Sequence, residues 1–295
     1  MKFFVTGSAG LIGSQVVKDL VRSNHQVYSC YNDSRPRDGI AVKLDLTNNE
    51  NIVQVVQTVK PDVIIHLAAM TNVDLCEKEK DLALKINAKS TQIISKQAAK
   101  HDSFFVYVST DYVFDGETGM KKESDTPNPV DYYGYSKYQG EIAVQDMASS
   151  WCIARTSTPF GIHDTKKSFP SFVIENLQAK KEISVVIDQY TSPTYVPNLS
   201  KMLIEISTRQ TLGIIHLAGA TRISRYDMAQ LVAEKLDLDK SLLRQASIKG
   251  MDWIAKRPKD SSLDVLKAAS LLKEKPISVE QGLDQFIEEI KTKPN

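Results

Sequence analysis

The sequence predicts an α/β fold built on a doubly wound parallel sheet, and three observations carry that prediction. Through the first half of the chain, short apolar runs rich in β-formers alternate with segments whose apolar side chains recur at helical spacing. Residues 2–6 run directly into glycines at 7, 10 and 13 and then into a helical pattern. The second half continues less regularly, with no linker of Gly/Ser/Pro type and no internal repeat.

Each element follows in order. Phe3, Phe4 and Val5 make the opening run a strand buried on both faces, and Val16, Val17, Leu20 and Val21 give the next segment a helical stripe. Residues 26–31 read as the second strand, 41–44 as the third, and 51–59 as a helix ended by Pro61. Val63, Ile64 and Ile65 mark a fourth strand at 62–67. A long helix over 82–100 leads to a fifth strand at 103–108, then a helix at 135–148 and a sixth strand at 151–155. Repeated βα units of this length imply right-handed crossovers and a Rossmann-type sheet, whose ligands collect at the carboxyl ends of the strands. Thr6-Gly7, Leu67-Ala68-Ala69 and Ser109-Thr110 lie at such ends.

Beyond residue 160, helices are expected at 169–180, 197–208, 224–236 and 278–291, with strands at 183–187 and 214–218. Residues 240–275, which hold Trp253 and Lys256-Arg257-Pro258, carry no readable pattern. The expected organisation is a dinucleotide-binding domain over 1–160, to which later strands partly return, and a smaller mixed substrate-binding lobe over 161–295.

A chain of 295 residues can bury a large core. Its 37 basic and 36 acidic residues nearly cancel, so bulk electrostatics predicts neither a nucleic-acid nor a membrane partner. Cys30, Cys76 and Cys152 are an odd, scattered set that fits reduced thiols and a cytoplasmic location. No apolar run approaches a membrane span, and Phe3-Phe4-Val5 is too short for a signal-peptide core. No metal site is expected, because His25, His66, His101, His163 and His216 show no ligand spacing. His66 and His216 sit inside apolar strand runs and read as satisfied core residues.

Strand, glycine turn and helix in that order build a phosphate site. Helix amides without intrahelical partners point at the anion, the dipole favours negative charge there, and glycine lets the backbone approach closely. Tyr133 and Lys137 lie one helical turn apart and share a face. A phenol titrates near pH 10, and a neighbouring ammonium lowers that value toward what a general acid or base needs. Alone, Tyr-x-x-x-Lys reads as an amphipathic surface pair; with the glycine turn, the Ala68-Ala69 loop and the Thr110 hydroxyl, it reads as chemistry.

These motifs resemble the extended short-chain dehydrogenase/reductases and, more narrowly, the dTDP-4-dehydrorhamnose reductase family. The residues that carry the likeness are Ser109-Thr110-Asp111-Tyr112-Val113-Phe114-Asp115-Gly116, Tyr133-Gly134-Tyr135-Ser136-Lys137 and Arg155-Thr156-Ser157. Asp188-Gln189-Tyr190, Pro193-Thr194, Ser224-Arg225-Tyr226 and Arg257-Pro258 followed by Ser261 extend it to about residue 265. The resemblance implies hydride transfer from a reduced nicotinamide to the C4 ketone of a nucleotide-linked 4-keto-6-deoxy sugar. It makes Tyr133 the proton donor, Lys137 the ligand of the nicotinamide ribose, and Thr110 a hydrogen-bond partner of the carbonyl oxygen. Asp111 and Tyr112 would face the sugar. Gly7, Gly10, Leu11, Ile12 and Gly13 would cradle the pyrophosphate, with Asp45 and Leu46 beside the adenine and Leu67, Ala68 and Ala69 along the nicotinamide.

Cofactor choice turns on the end of the second strand, where Cys30-Tyr31 offers no carboxylate for a ribose hydroxyl. Asn32, Ser34 and Arg35 in the loop that follows suit a 2′-phosphate, Asp33 is the contrary sign, and Arg35 and Arg37 also read as plain surface residues. The balance favours NADP(H) over NAD(H). Thr158 stands where the bacterial reductases carry a tryptophan after Arg-Thr-Ser, which removes a stacking surface and opens the identity of the sugar. Arg257 reads either as a partner of the substrate diphosphate or as a surface arginine. Two other readings compete: a cofactor-binding regulatory protein resembling the β-subunit of methionine adenosyltransferase, and a nucleotide-sugar epimerase or dehydratase. A homodimer is left open.

Overall fold

The computed structural model describes residues 1–292. The chain runs β1 (Lys2–Thr6), α1 (Leu11–Arg22), β2 (Gln26–Tyr31), β3 (Ile40–Lys43), α2 (Asn49–Val59) and β4 (Val63–His66). It continues through α3 (Val73–Lys78), α4 (Lys80–Leu84), a π-helical turn (Lys85–Lys89), α5 (Ser90–Lys100), β5 (Phe104–Thr110), α6 (Tyr132–Met147) and β6 (Trp151–Thr156). After the short β7 (Pro159–Phe160) come α7 (Phe169–Gln178), β8 (Ile183–Val186), β9 (Tyr190–Thr191), β10 (Thr194–Tyr195) and α8 (Val196–Thr208). The remainder is β11 (Gly213–His216), β12 (Ile223–Ser224), α9 (Arg225–Lys235), β13 (Leu243–Ala246), α10 (Leu266–Leu271) and α11 (Val279–Thr292).

Seven strands form one parallel sheet in the order β11-β6-β5-β4-β1-β2-β3. Side chains alternate across it, as the two-residue period of a strand requires. Phe3 and Val5 pack with Val16, Val17 and Leu20 of α1 and with Leu199, Met202 and Leu203 of α8. Phe4 points the other way, toward Ile52 and Val56 of α2, Ile94 of α5 and Val144 of α6. Ser200 of α8 donates to Asp19 of α1 at 2.7 Å, tying the later half to the first crossover helix. A second core gathers Phe160, Val173, Leu177, Val232 and Phe286.

Helix ends are set by local chemistry. Asn48 caps α2 by accepting from the Asn51 amide, and Asp131 caps α6 by accepting from the Gly134 amide at 2.8 Å. The helix expected over 82–100 is interrupted: α4 and α5 are joined by the π turn, which carries one extra residue per turn. The unreadable 240–275 stretch holds β13, which pairs with β8, and α10. Among the described residues no helix is long and apolar enough to cross a membrane.

Candidate active site

The glycine turn closes on itself. Gly10 N–H donates to the Gly7 carbonyl at 2.9 Å, and the first bond of α1 is Ser14 N–H to Gly10 C=O at 2.9 Å. The amides of Leu11, Ile12 and Gly13 therefore have no acceptor inside the helix and face outward from its positive end. Two of the glycines serve packing. Gly7 sits at φ +66°, and a Cβ there would lie 2.8 Å from the Ala68 nitrogen; a Cβ on Gly13 would lie 2.1 Å from the Gly7 oxygen. Gly10 is different: an added Cβ would meet only the Gly7 oxygen, at 3.2 Å, so what its smallness leaves room for is outside the turn.

The fourth strand is hooked to the first through Thr6. Its hydroxyl accepts from the amides of Leu67 (3.1 Å) and Ala68 (3.0 Å), so its own hydrogen goes to His66 Nδ1 at 2.6 Å. That leaves the imidazole proton on Nε2, which donates to Thr91 Oγ1 at 3.0 Å; Thr91 in turn donates to the Asn87 carbonyl. Burial, with the Lys137 charge beside it, holds His66 neutral by pulling it down to about 3. His66 is the satisfied core residue expected. His216 is so only in part: Nδ1 faces the Asp264 carbonyl at 3.1 Å, and among the described residues Nε2 has no partner.

Asn87, in the π turn, is a site residue that the sequence reading missed. Its side chain accepts from the Met70 amide (2.8 Å) and donates to the Met70 carbonyl (3.0 Å) and to Ser136 Oγ (2.9 Å). The loop that holds Leu67, Ala68 and Ala69 is thereby clamped to α6, one turn from Tyr133. Tyr133 itself is half-buried, with its ring edge-on to Tyr112 at 5.9 Å between centroids.

Two expectations about this cluster need correction. Lys137 does share a face with Tyr133, but its ammonium donates to the Val108 carbonyl at 2.8 Å and sits 4.0 Å above the Tyr107 ring centre. Burial pulls it down to about 7, against the pull of Glu141 one turn along. The Tyr133 phenol is not lowered as expected: burial pushes it up and Asp111 and Asp131 add to the rise, against a hydrogen bond with Thr110. Asp111, expected to face the sugar, is only 3% exposed. It accepts from Thr110 at 3.0 Å, from Ser157 at 2.7 Å and from Ser261 at 2.6 Å, so its oxygens are spent on the protein. Burial raises its pKa and these hydroxyls oppose the rise, Ser261 most. Thr110 also accepts from the Tyr112 amide at 3.2 Å. Tyr112 keeps an open edge, its phenol within 3.5 Å of the Gln189 amide.

Beneath the cluster, Glu141 holds Arg155 through two bonds of 2.9 and 2.7 Å and accepts from Ser109 at 2.6 Å, all buried. This fastens the ends of β5 and β6 to α6.

On the cofactor side, Asn32, Ser34 and Arg35 are exposed in the loop after β2, and the Asn32 carbonyl accepts from Lys43. Arg37 pairs with Asp164 at 2.5 Å, while His163 Nε2 lies 3.1 Å from the Ala9 carbonyl, so residues 163–164 lie across both loops. Asp45 is occupied locally, accepting from the Thr47 amide and hydroxyl at 2.8 Å each, and those bonds lower its pKa. Leu46 packs against the core beneath α2. Arg257 is neither free nor at the surface. It pairs with Asp74 of α3 at 3.0 Å and donates to the Ala255 carbonyl, only 11% exposed.

The family described as RmlD substrate binding domain matches residues 1–292. A probable low-salt glycan biosynthesis reductase of Haloferax volcanii is 33% identical over 270 residues, 90% of each chain. A dTDP-4-dehydrorhamnose reductase of Aggregatibacter actinomycetemcomitans is 31% identical over 278 residues, covering 90% of this chain and 91% of that one. Methionine adenosyltransferase 2 subunit beta of Danio rerio is 30% identical over 272 residues, 89% of this chain and 82% of the relative. Among solved structures, a dTDP-4-dehydrorhamnose reductase from Bacillus anthracis, in complex with NADP, superposes with a TM-score of 0.87 at 32% identity, over 98% of this chain and 99% of that one.

Proposed function

The chain belongs to the RmlD substrate binding domain family and is an oxidoreductase of the dTDP-4-dehydrorhamnose reductase type; from that premise we propose that it reduces the C4 ketone of a nucleotide-linked 4-keto-6-deoxy sugar, with NADPH favoured over NADH. The observation that supports this reading is that a phenol, a hydroxyl and an anion cradle gather at the carboxyl-terminal end of one parallel sheet. Thr110 ends β5, Tyr133 in the first turn of α6 packs edge-on against the neighbouring Tyr112, and the open amides of Leu11, Ile12 and Gly13 follow β1.

The dinucleotide, when bound, supplies the hydride. The glycine turn fits its pyrophosphate, because Gly10 leaves room where a side chain would crowd and three amides point outward. Ser34 and Arg35, exposed and close in sequence, suit the 2′-phosphate; Asp45 and Leu46 would border the adenine, and Leu67, Ala68 and Ala69, in the loop held by Thr6 and Asn87, would line the nicotinamide side. Tyr133 gives its proton to the C4 oxygen. Its raised pKa keeps that proton in place at neutral pH, as a reductase needs before the alkoxide forms. Thr110 turns its hydroxyl from Asp111 to the same oxygen. Lys137, which here donates to the Val108 carbonyl, would hold the nicotinamide ribose.

The test is NADPH oxidation against a panel of 4-keto-6-deoxy nucleotide sugars. Turnover to the 4-hydroxy sugar is expected. Tight NADPH binding without turnover of any sugar favours the regulatory reading, which the adenosyltransferase-subunit relatives support. NAD that survives dialysis of the purified protein favours an epimerase or dehydratase.

A further inference from the structure

Six of the nine arginines reach a carboxylate: Arg37, Arg155, Arg209, Arg222, Arg244 and Arg257. Of the other three, Arg22 and Arg35 are exposed and solvated. Arg225 is not. It is half-buried at the first position of α9, and among the described residues no carboxylate lies within ion-pair distance of it. Its guanidinium lies 5.0 Å from the Phe169 ring, and among the described residues its one side-chain hydrogen-bond partner is the Thr158 hydroxyl, at 3.5 Å. The backbone amide of Arg225 donates to the Gln189 carbonyl at 3.0 Å, and the Gln189 side chain reaches the Tyr112 phenol. The helix start that positions it is capped by Ser224, which accepts from the Asp227 amide at 3.0 Å.

A guanidinium taken out of water without an anion is costly, and a planar fork that makes one long bond has donors to spare. Its charge falls on Asp111 and on Tyr112, the ring that stands edge-on to Tyr133. Through Gln189, which accepts from the Arg225 amide and reaches the Tyr112 phenol, the start of α9 is tied to the ring that stands edge-on to Tyr133. Thr158, the neighbour they touch, is held at φ +42°, an uncommon conformation for a β-branched residue. Arg257, the other cation acting on Tyr112, is already paired with Asp74.

We propose that Arg225 binds the diphosphate of the nucleotide-sugar substrate and is the principal cationic contact in that role, ahead of Arg257. The proposal rests on the reductase reading and names the residue that recognises the part of the substrate remote from the ketone. The bidentate fork suits two phosphate oxygens at once, and remote binding of this kind orients the sugar on Tyr133.

Calorimetry with dTDP and UDP, which carry the diphosphate without the sugar, tests it on the full chain. Arg225→Gln is expected to weaken both nucleotides about 10- to 100-fold while NADPH affinity stays within about twofold. Arg225→Lys, which keeps the charge and loses the fork, should fall between. Arg257→Gln should weaken them less than Arg225→Gln. The same substitution should barely affect dTMP, which lacks the second phosphate. Wild-type affinity for dTDP and UDP in both Arg225 variants, with the wild-type protein binding them and turning over sugar, overturns the assignment and leaves the reductase reading standing. So does a loss confined to complete sugars, since it would place Arg225 on the sugar and not on the phosphates. A wild-type protein that binds neither nucleotide and oxidises NADPH with no sugar removes both.

Discussion

Ser261 donates its hydroxyl hydrogen to Asp111 at 2.6 Å, joining the end of β5 to a loop 150 residues further along the chain. Ser157, at the end of β6, reaches the same carboxylate oxygen at 2.7 Å. One buried carboxylate thus ties together three segments that frame Tyr112 and Thr110. Asp111→Ala leaves three hydroxyls without their acceptor, and a loss of about 2–4 kcal/mol in unfolding free energy is expected. Urea titration measures it; a change below about 0.5 kcal/mol would show that the three hydroxyls find other partners.

Tyr133→Phe removes the proposed proton donor and keeps the ring that packs edge-on against Tyr112. Turnover should fall by roughly 100-fold or more, with NADPH affinity nearly intact. Steady-state rates paired with fluorescence titration of NADPH check both halves. Near-wild-type turnover takes the donor role away from Tyr133.

Lys137 carries a pH signature in stability. Burial depresses it from 10.5 to about 7, so between those values the unfolded chain binds more protons than the folded one. Stability from this group therefore rises as pH increases from 7 toward 10.5, and below 7 the cost of the buried ammonium is fully present. The slope is at most about 1.4 kcal/mol per pH unit. Lys137→Met should flatten it. Unfolding free energies at several pH values between 6.5 and 9.5, for both proteins, decide the matter; parallel profiles would assign the slope elsewhere.

Arg35→Ala should weaken NADPH more than NADH, about 10-fold or more for the first, because a 2′-phosphate loses a charge-assisted partner and a hydroxyl does not. Equal losses for the two cofactors would place Arg35 among the ordinary surface residues.

The strands were legible in the sequence wherever burial on both faces leaves an unbroken apolar run, as in Phe3-Phe4-Val5 and Val63-Ile64-Ile65. The glycine turn was legible too, although the structure divides its glycines between packing (7 and 13) and access (10). What the sequence concealed depends on partners distant along the chain. Asp111 turns inward because Ser157 and Ser261 converge on it, and no local pattern announces that. Arg257 is claimed by Asp74, whose carboxylate also accepts from the Ile254 and Ala255 amides and so shapes the unreadable 240–275 stretch. Arg225 left a fainter trace: Ser224 followed three residues later by Asp227 marks a helix start, which fixes the next residue at its mouth.

The π turn at Lys85–Lys89 has a bearing on how this scaffold tolerates deletion. One surplus residue there sets the rotational phase of everything that precedes it against everything that follows. Removing a single residue between Lys85 and Lys89 would restore ordinary winding and swing Asn87 by about 100° around the axis, letting go of Met70 and Ser136 together. A shortening that most surface helices would absorb as a small shift would here unlatch the loop after β4 from α6.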